Sequence, residues 1–272
     1  MDLLFNYITW DVSPELFTLG PITPRWYGVL FASGFLFGLI MVKRMFKTEN
    51  APEEWLDKAF MYIVLGAVIG ARLGHVFFYD WDYYAQNLTE IPMIWRGGLA
   101  SHGGAIGVLL ALWIFSKRVS KKSMLWILDK VVVPTALAAC FIRMGNFMNS
   151  EIVGIPYDGP LAVLFVRAYP PLNELPRHAV QLYEAVCYLL IFGVLFFTYW
   201  RTELRNKPGF IFGLFLTLVF GVRFFLEKYK NSQGGLEENL ANSLTTGQIL
   251  SIPFVLIGLY YMFRPSPTKK IA

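Results

Sequence analysis

The chain has 272 residues, of which 56% are hydrophobic, 17% aromatic and only 16% charged. A soluble domain carries about 25% charged residues, so charge is depleted here and the apolar runs are too long for one or two soluble domains. The net charge of +5 would suit a nucleic-acid partner, but no basic stripe with interleaved aromatics is present, and an excess of Lys and Arg is what the cytoplasmic loops of a membrane protein collect.

In chain order, residues 1–23 carry Asp2, Asp11 and Glu15 without a basic stretch followed by an apolar core, so no cleavable leader is expected. About seven segments are then long and apolar enough to cross a bilayer: 26–42, 59–79, 99–115, 124–144, 179–200, 210–226 and 247–263. The pattern predicts an all-α polytopic bundle of about seven transmembrane helices with a small periplasmic loop region. Residues 1–272 read as a single membrane-embedded domain, with 146–177 as its main periplasmic segment. Within that segment 162–167 looks strand-like, and whether 155–172 gates the site is left open.

Alternate loops differ in charge. Lys43, Arg44 and Lys47 follow the first span, Lys117, Arg118, Lys121 and Lys122 the third, Arg201, Arg205 and Lys207 the fifth, and Arg264, Lys269 and Lys270 the last. Asp80, Asp82 and Glu90, then Glu151, Asp158 and Glu174, then Glu237 and Glu238 occupy the other loops. The basic side is expected to be cytoplasmic, which puts the N-terminus outside and the C-terminus inside a bacterial cytoplasmic membrane. Trp26, Trp55, Trp81, Trp95, Trp126 and Trp200 lie near span ends, as an aromatic belt predicts. Gly34 and Gly38, Gly66, Gly70 and Gly74, Gly103 and Gly107, and Gly209 and Gly213 recur four apart, a spacing that reads as close helix packing. Cys140 and Cys187 both sit in apolar runs, so no disulfide framework is indicated.

Ionisable groups inside spans cost at least about 2.5–3.5 kcal/mol each at the bilayer centre, so each needs a reason. They are Arg72 and His75, His102, Arg143 with Asn146, His178 with Gln181 and Glu184, and Arg223 with Glu227. In the predicted orientation most fall in the outer half of the membrane, which points to an anionic substrate, most simply a phospholipid headgroup. Duller readings stand beside that one. Arg223 and Glu227 at i,i+4 spacing could neutralise each other. Arg72 and His75 read as snorkelling to the interface. His178, Gln181 and Glu184 form a stripe that could be interhelical glue. The three histidines are scattered, giving no metal-ligand spacing. Walker and GxGxxG loops are absent, and Ser101 beside His102 is no triad.

The run Arg143-Met-Gly-Asn146-Phe-Met-Asn149-Ser-Glu151-Ile-Val-Gly154 resembles the signature of the prolipoprotein diacylglyceryl transferase family. Other landmarks of that family occur in order: Arg25-Trp-Tyr27-Gly, Gly70-Ala-Arg72-Leu-Gly, Arg96-Gly-Gly-Leu-Ala-Ser-His102-Gly-Gly, Arg177-His178-Ala-Val-Gln181-Leu-Tyr183-Glu184 and Arg223-Phe-Phe-Leu-Glu227. Ile142, Ala179, Arg25 and the stretch after Glu227 depart from the family pattern. The resemblance implies transfer of diacylglyceryl from phosphatidylglycerol to the thiol of a lipobox cysteine in a prolipoprotein signal peptide, without cofactor or metal. It implies His102 as general base and Arg143 and Arg223 as the phosphate clamp. Tyr27, Asn146, Asn149, Glu151, Gly154 and Glu227 would bind or orient the substrate, with Glu227 holding Arg223 and Gly154 in a turn. The two cysteines of the chain should be dispensable. A transporter or flippase for an anionic lipid is the rival reading, though the broken helices and paired repeats of transporters are not evident.

Overall fold

In a computed structural model, which describes residues 7–20, 22–231 and 244–265, the chain is almost wholly helical. The helices are α1 (Trp26–Thr48), α2 (Glu54–Phe78), the short α3 (Trp81–Tyr84), α4 (Ser101–Phe115), α5 (Met124–Met148), α6 (Val180–Arg201), α7 (Phe210–Leu226) and α8 (Thr246–Phe263). A π-helical turn extends α4 to Ser120. Every one except α3 is long and apolar enough to cross a membrane, so the chain is a polytopic membrane protein with seven such helices among the described residues. Large apolar side chains such as Leu36, Ile69, Leu190, Phe197 and Leu256 are exposed, as expected of surfaces that meet lipid rather than water. Glu237, Glu238, Lys269 and Lys270, used above for orientation, lie outside the described residues.

The predicted spans are all present, but several run further than hydropathy suggested. α5 continues to Met148, so the first half of the signature is helix rather than loop. The strand-like reading of 162–167 holds: β2 (Val163–Phe165) pairs in parallel with β1 (Ile8–Trp10), Ile8 opposite Val163. β1 was not foreseen.

The described chain forms two compact units. One comprises Leu39–Lys130. In it α2 lies backbone to backbone on α4: a methyl group placed on Gly66 would sit 2.6 Å from the Gly107 carbonyl oxygen, and one on Gly74 2.7 Å from the Gly103 Cα. The glycines thus serve packing, as their spacing predicted. Arg72 does not snorkel. It is 3% exposed and donates to the carbonyls of Glu90 (2.7 Å), Ile91 (2.6 Å) and Gly97 (2.6 Å), pegging the loop that leads to α4. Nearby, the Arg96 guanidinium and the Tyr83 hydroxyl both donate to Glu90 and hold its carboxyl below the usual range.

The other unit is drawn from the described residues of Met1–Gly38 and Val131–Ala272. Here α1 meets α5 at Gly34, where an added methyl would lie 3.0 Å from Ala138 Cβ. α7 meets α8 at Gly213 and Gly258, each facing the other's carbonyl. β1 and β2 cap a small core in which Phe147 touches Trp10 and Phe165 at ring separations of 4.3 and 5.7 Å.

Candidate active site

The second half of the signature begins where α5 ends. Ser150 and Ile152 adopt φ of 54° and 55°, conformations that cost about 1–3 kcal/mol each for residues with a Cβ. Together they turn Glu151 back towards the helix, where its N–H donates to the Asn146 carbonyl at 2.9 Å. The Glu151 carboxylate then accepts from Asn146 Nδ2 (3.3 Å) and Asn149 Nδ2 (3.0 Å), while Asn146 Oδ1 accepts from Arg143 Nη1 at 3.2 Å. Gln181, fully buried on α6, donates to the Glu151 carbonyl at 2.6 Å. Arg143, Asn146, Asn149 and Glu151 are therefore one hydrogen-bonded group. Tyr27, at the start of α1, packs against Gly145 within the same stretch of α5: a methyl on Gly145 would lie 2.7 Å from the Tyr27 ring.

Gly154 occupies no tight turn. It bridges to Lys230 across an antiparallel pair and donates to the His178 carbonyl at 3.0 Å. A Cβ there would sit 2.6 Å from the His178 oxygen and 2.7 Å from the Tyr229 oxygen. Glycine is required by crowding, and its effect is to stitch the signature to the end of α7. His178 is stacked on Tyr157 at 4.0 Å and flanked by Tyr229 and Tyr183, whose hydroxyl is 3.3 Å from Nδ1. Burial among these rings pushes the imidazole below its ordinary pKa.

Arg143, Arg223 and Glu227 belong to a continuous line of charges. Arg143 Nε lies 2.8 Å from Glu184 Oε2, Glu184 Oε1 lies 3.0 Å from Lys230 Nζ, and Lys230 Nζ lies 3.1 Å from Glu227 Oε2. Arg223 Nε stands 4.0 Å from that last oxygen. Cation and anion alternate from one arginine to the other. The Glu184 and Lys230 side chains in the middle are 1% and 11% exposed, whereas Arg143 is 18% and Arg223 35% exposed. Several buried polar atoms here have no hydrogen-bond partner among the described residues: Asn149 Oδ1, Gln181 Oε1, Glu184 Oε2, Arg223 Nε and Glu227 Oε2. The ion pairs of Glu184 Oε2 and Glu227 Oε2 are close enough to attract but lack hydrogen-bond alignment. Each such atom costs about 1–3 kcal/mol, and their concentration in one place favours a polar ligand.

The sequence singled out Glu184 as an expensive carboxylate but gave it no place in the site, and it missed Lys230 altogether. Lys230 stands three residues after Glu227, a spacing that was available as a signal. His102 lies exposed in the first turn of α4, in the unit of residues 39–130, while the group just described belongs to the other.

The family model for prolipoprotein diacylglyceryl transferase matches residues 14–264. The chain belongs to the prolipoprotein diacylglyceryl transferase family. Among its curated relatives, the phosphatidylglycerol--prolipoprotein diacylglyceryl transferase of Tolumonas auensis is 48% identical over 260 residues, covering 96% of this chain and 98% of that protein. The proteins of the same name from Chloroherpeton thalassium and Porphyromonas gingivalis are 47% and 43% identical, each covering 95% of this chain and 94% of their own. The matched residues include the signature, the charged line and the helices that carry them.

Proposed function

We propose that this chain transfers the diacylglyceryl group of phosphatidylglycerol to the cysteine thiol of a prolipoprotein. The thiol loses its proton to a base, the sulfur attacks the glyceryl carbon bonded to the phosphate oxygen, and that C–O bond breaks. A thioether forms and glycerol phosphate leaves. A free thiol has a pKa near 8.5, so a base at the sulfur raises the reactive fraction; His102 is assigned that role by residue type and family pattern. The phosphate passes from a diester to a monoester and gains negative charge, which fixed guanidinium donors stabilise. Arg143 and Arg223 suit this because each presents a planar fork of N–H groups. Asn146, Asn149 and Glu151 orient the headgroup, and Tyr27 contacts lipid beside them.

The observation that carries this reading is the charged line itself, with an arginine at each end and the buried Glu184 carboxylate between them. The cysteine acceptor is placed in the lipobox of a signal peptide, and the reaction at the outer face of a bacterial inner membrane, with the N-terminus periplasmic and the C-terminus cytoplasmic. The test is purified protein in liposomes with labelled phosphatidylglycerol and a lipobox peptide bearing one cysteine. Diacylglyceryl peptide with released glycerol phosphate, lost on Cys→Ser in the peptide, is expected. Lipid moving between leaflets without product would overturn the transferase reading in favour of a flippase.

A further inference from the structure

Lys230 is the hub of the charged line. Its side chain is 11% exposed, and the ammonium lies 3.0 Å from Glu184 Oε1 and 3.1 Å from Glu227 Oε2. Arg223 is farther from that same Glu227 oxygen, at 4.0 Å, and its buried Nε has no hydrogen-bond partner among the described residues. Glu227 thus has two cations within reach along its own segment, Arg223 at i,i+4 and Lys230 at i,i+3, and both spacings bring side chains together on a helix. The closer contact goes to the lysine. The other side of the Glu227 carboxylate is pressed against Gly247 in the first turn of α8, where there is no space for a Cβ. The backbone of Lys230 is fixed too: its N–H donates to the Glu227 carbonyl at 3.0 Å, its residue pairs with Gly154, and the Ile155 N–H donates to the Tyr229 carbonyl at 3.0 Å. An ammonium is a compact point charge with three donors, suited to bridging two carboxylates at once.

We infer that Lys230 is a positioning residue, which occupies Glu227 and Glu184 so that the Arg223 guanidinium stays open to the lipid phosphate. The inference rests on the transfer reading and deepens it. Without the ammonium, the Glu227 carboxylate is released to close on Arg223. The arginine then has to break an internal ion pair before it can take a phosphate, so lipid binding weakens while the bond-breaking step, once lipid is bound, changes less. Removing the carboxylate in the same background takes away the competitor and restores binding.

The experiment uses full-length protein in detergent, with the dissociation constant of short-chain phosphatidylglycerol measured without peptide, and KM and kcat measured with a thiol peptide. Lys230→Met is expected to raise both the dissociation constant and the lipid KM at least about tenfold, with kcat within about threefold of the parent. Lys230→Arg, which keeps the charge, should stay within about threefold in all three. Lys230→Met with Glu227→Gln should bind the lipid more tightly than Lys230→Met alone. Parental affinity in Lys230→Met, a fall confined to kcat, or a double variant no better than the single one would overturn the inference. If Lys230→Met does not accumulate, Lys230→Gln, whose amide fills the same space without charge, carries the same comparison. A parent protein that binds the lipid but forms no thioether refutes the transfer reading, and the affinity series still decides the role of Lys230.

Discussion

Arg143 reaches Glu184 through its Nε and Asn146 through its Nη1, and it remains partly accessible. Replacing it with alanine removes the proposed donor to the phosphate and takes one of the two cations from a carboxylate that is 1% exposed. Arg143→Ala is expected to lower kcat about 10²–10³-fold at normal membrane levels. Arg143→Lys should recover little, because an ammonium cannot reproduce the fork; turnover of labelled phosphatidylglycerol checks both. Gly154→Ala tests the stitch between signature and α7. The added methyl meets two carbonyl oxygens, so a loss of about 1–3 kcal/mol in stability is expected, together with lower activity because the backbone beside Lys230 moves. Unchanged melting and turnover would refute the crowding argument. Much of this site was legible at residue level. Arg143, Asn146, Asn149 and Glu151 lie within nine consecutive positions, so their association is local and the sequence displays it. The pairing of Lys230 with Glu227 was open to a reading of spacing, but its contact with Glu184 was not, because Glu184 sits on another helix and proximity across helices leaves no mark on spacing. Gly154 was expected in a turn; its actual role, a close approach, could not be read, since the carbonyls that crowd it come from His178 and Tyr229.

Among the elements, the glycine seams make the clearest difference between helices. In α2, Gly70 is in contact with the backbone of α4, whereas Gly193 in α6 has open space around it. Gly70→Leu should therefore lower the amount of folded protein in membranes and its melting temperature by roughly 2–10 °C, while Gly193→Leu should leave both within error. Equal behaviour of the two would mean that the seam contributes nothing. Helix existence was readable from hydropathy, because any segment crossing about 30 Å of hydrocarbon must be apolar over about 20 residues. Helix ends were less so: α5 carries Arg143 and Asn146 in its last turns because their side chains find partners in Glu184 and Glu151, and hydropathy scores only their polarity. The buried position of Arg72 escaped for the same reason, since its carbonyl partners belong to a loop far along the chain.

For the molecule as a whole, acid sensitivity and orientation both follow from charge. His178 titrates below its ordinary value of about 6.5 because burial disfavours the imidazolium. Between the lowered folded value and about 6.5 the unfolded chain binds more protons, so stability rises with pH in that window and falls as the solution is acidified through it. Melting in detergent should show this slope, and His178→Asn should flatten it. With the proposed orientation, a cysteine introduced at Asp11 should react with a membrane-impermeant maleimide in intact cells, and one at Lys121 only after lysis; the reverse pattern would invert the topology. The seams also bear on how a two-tailed lipid travels. It has to come sideways out of the bilayer, because its acyl chains never leave the hydrocarbon. Between α2 and α4, and again between α7 and α8, the backbones touch so closely that not even a methyl group fits. Those two gaps are shut doors to an acyl chain, and the lipid's way in and out runs along some other face.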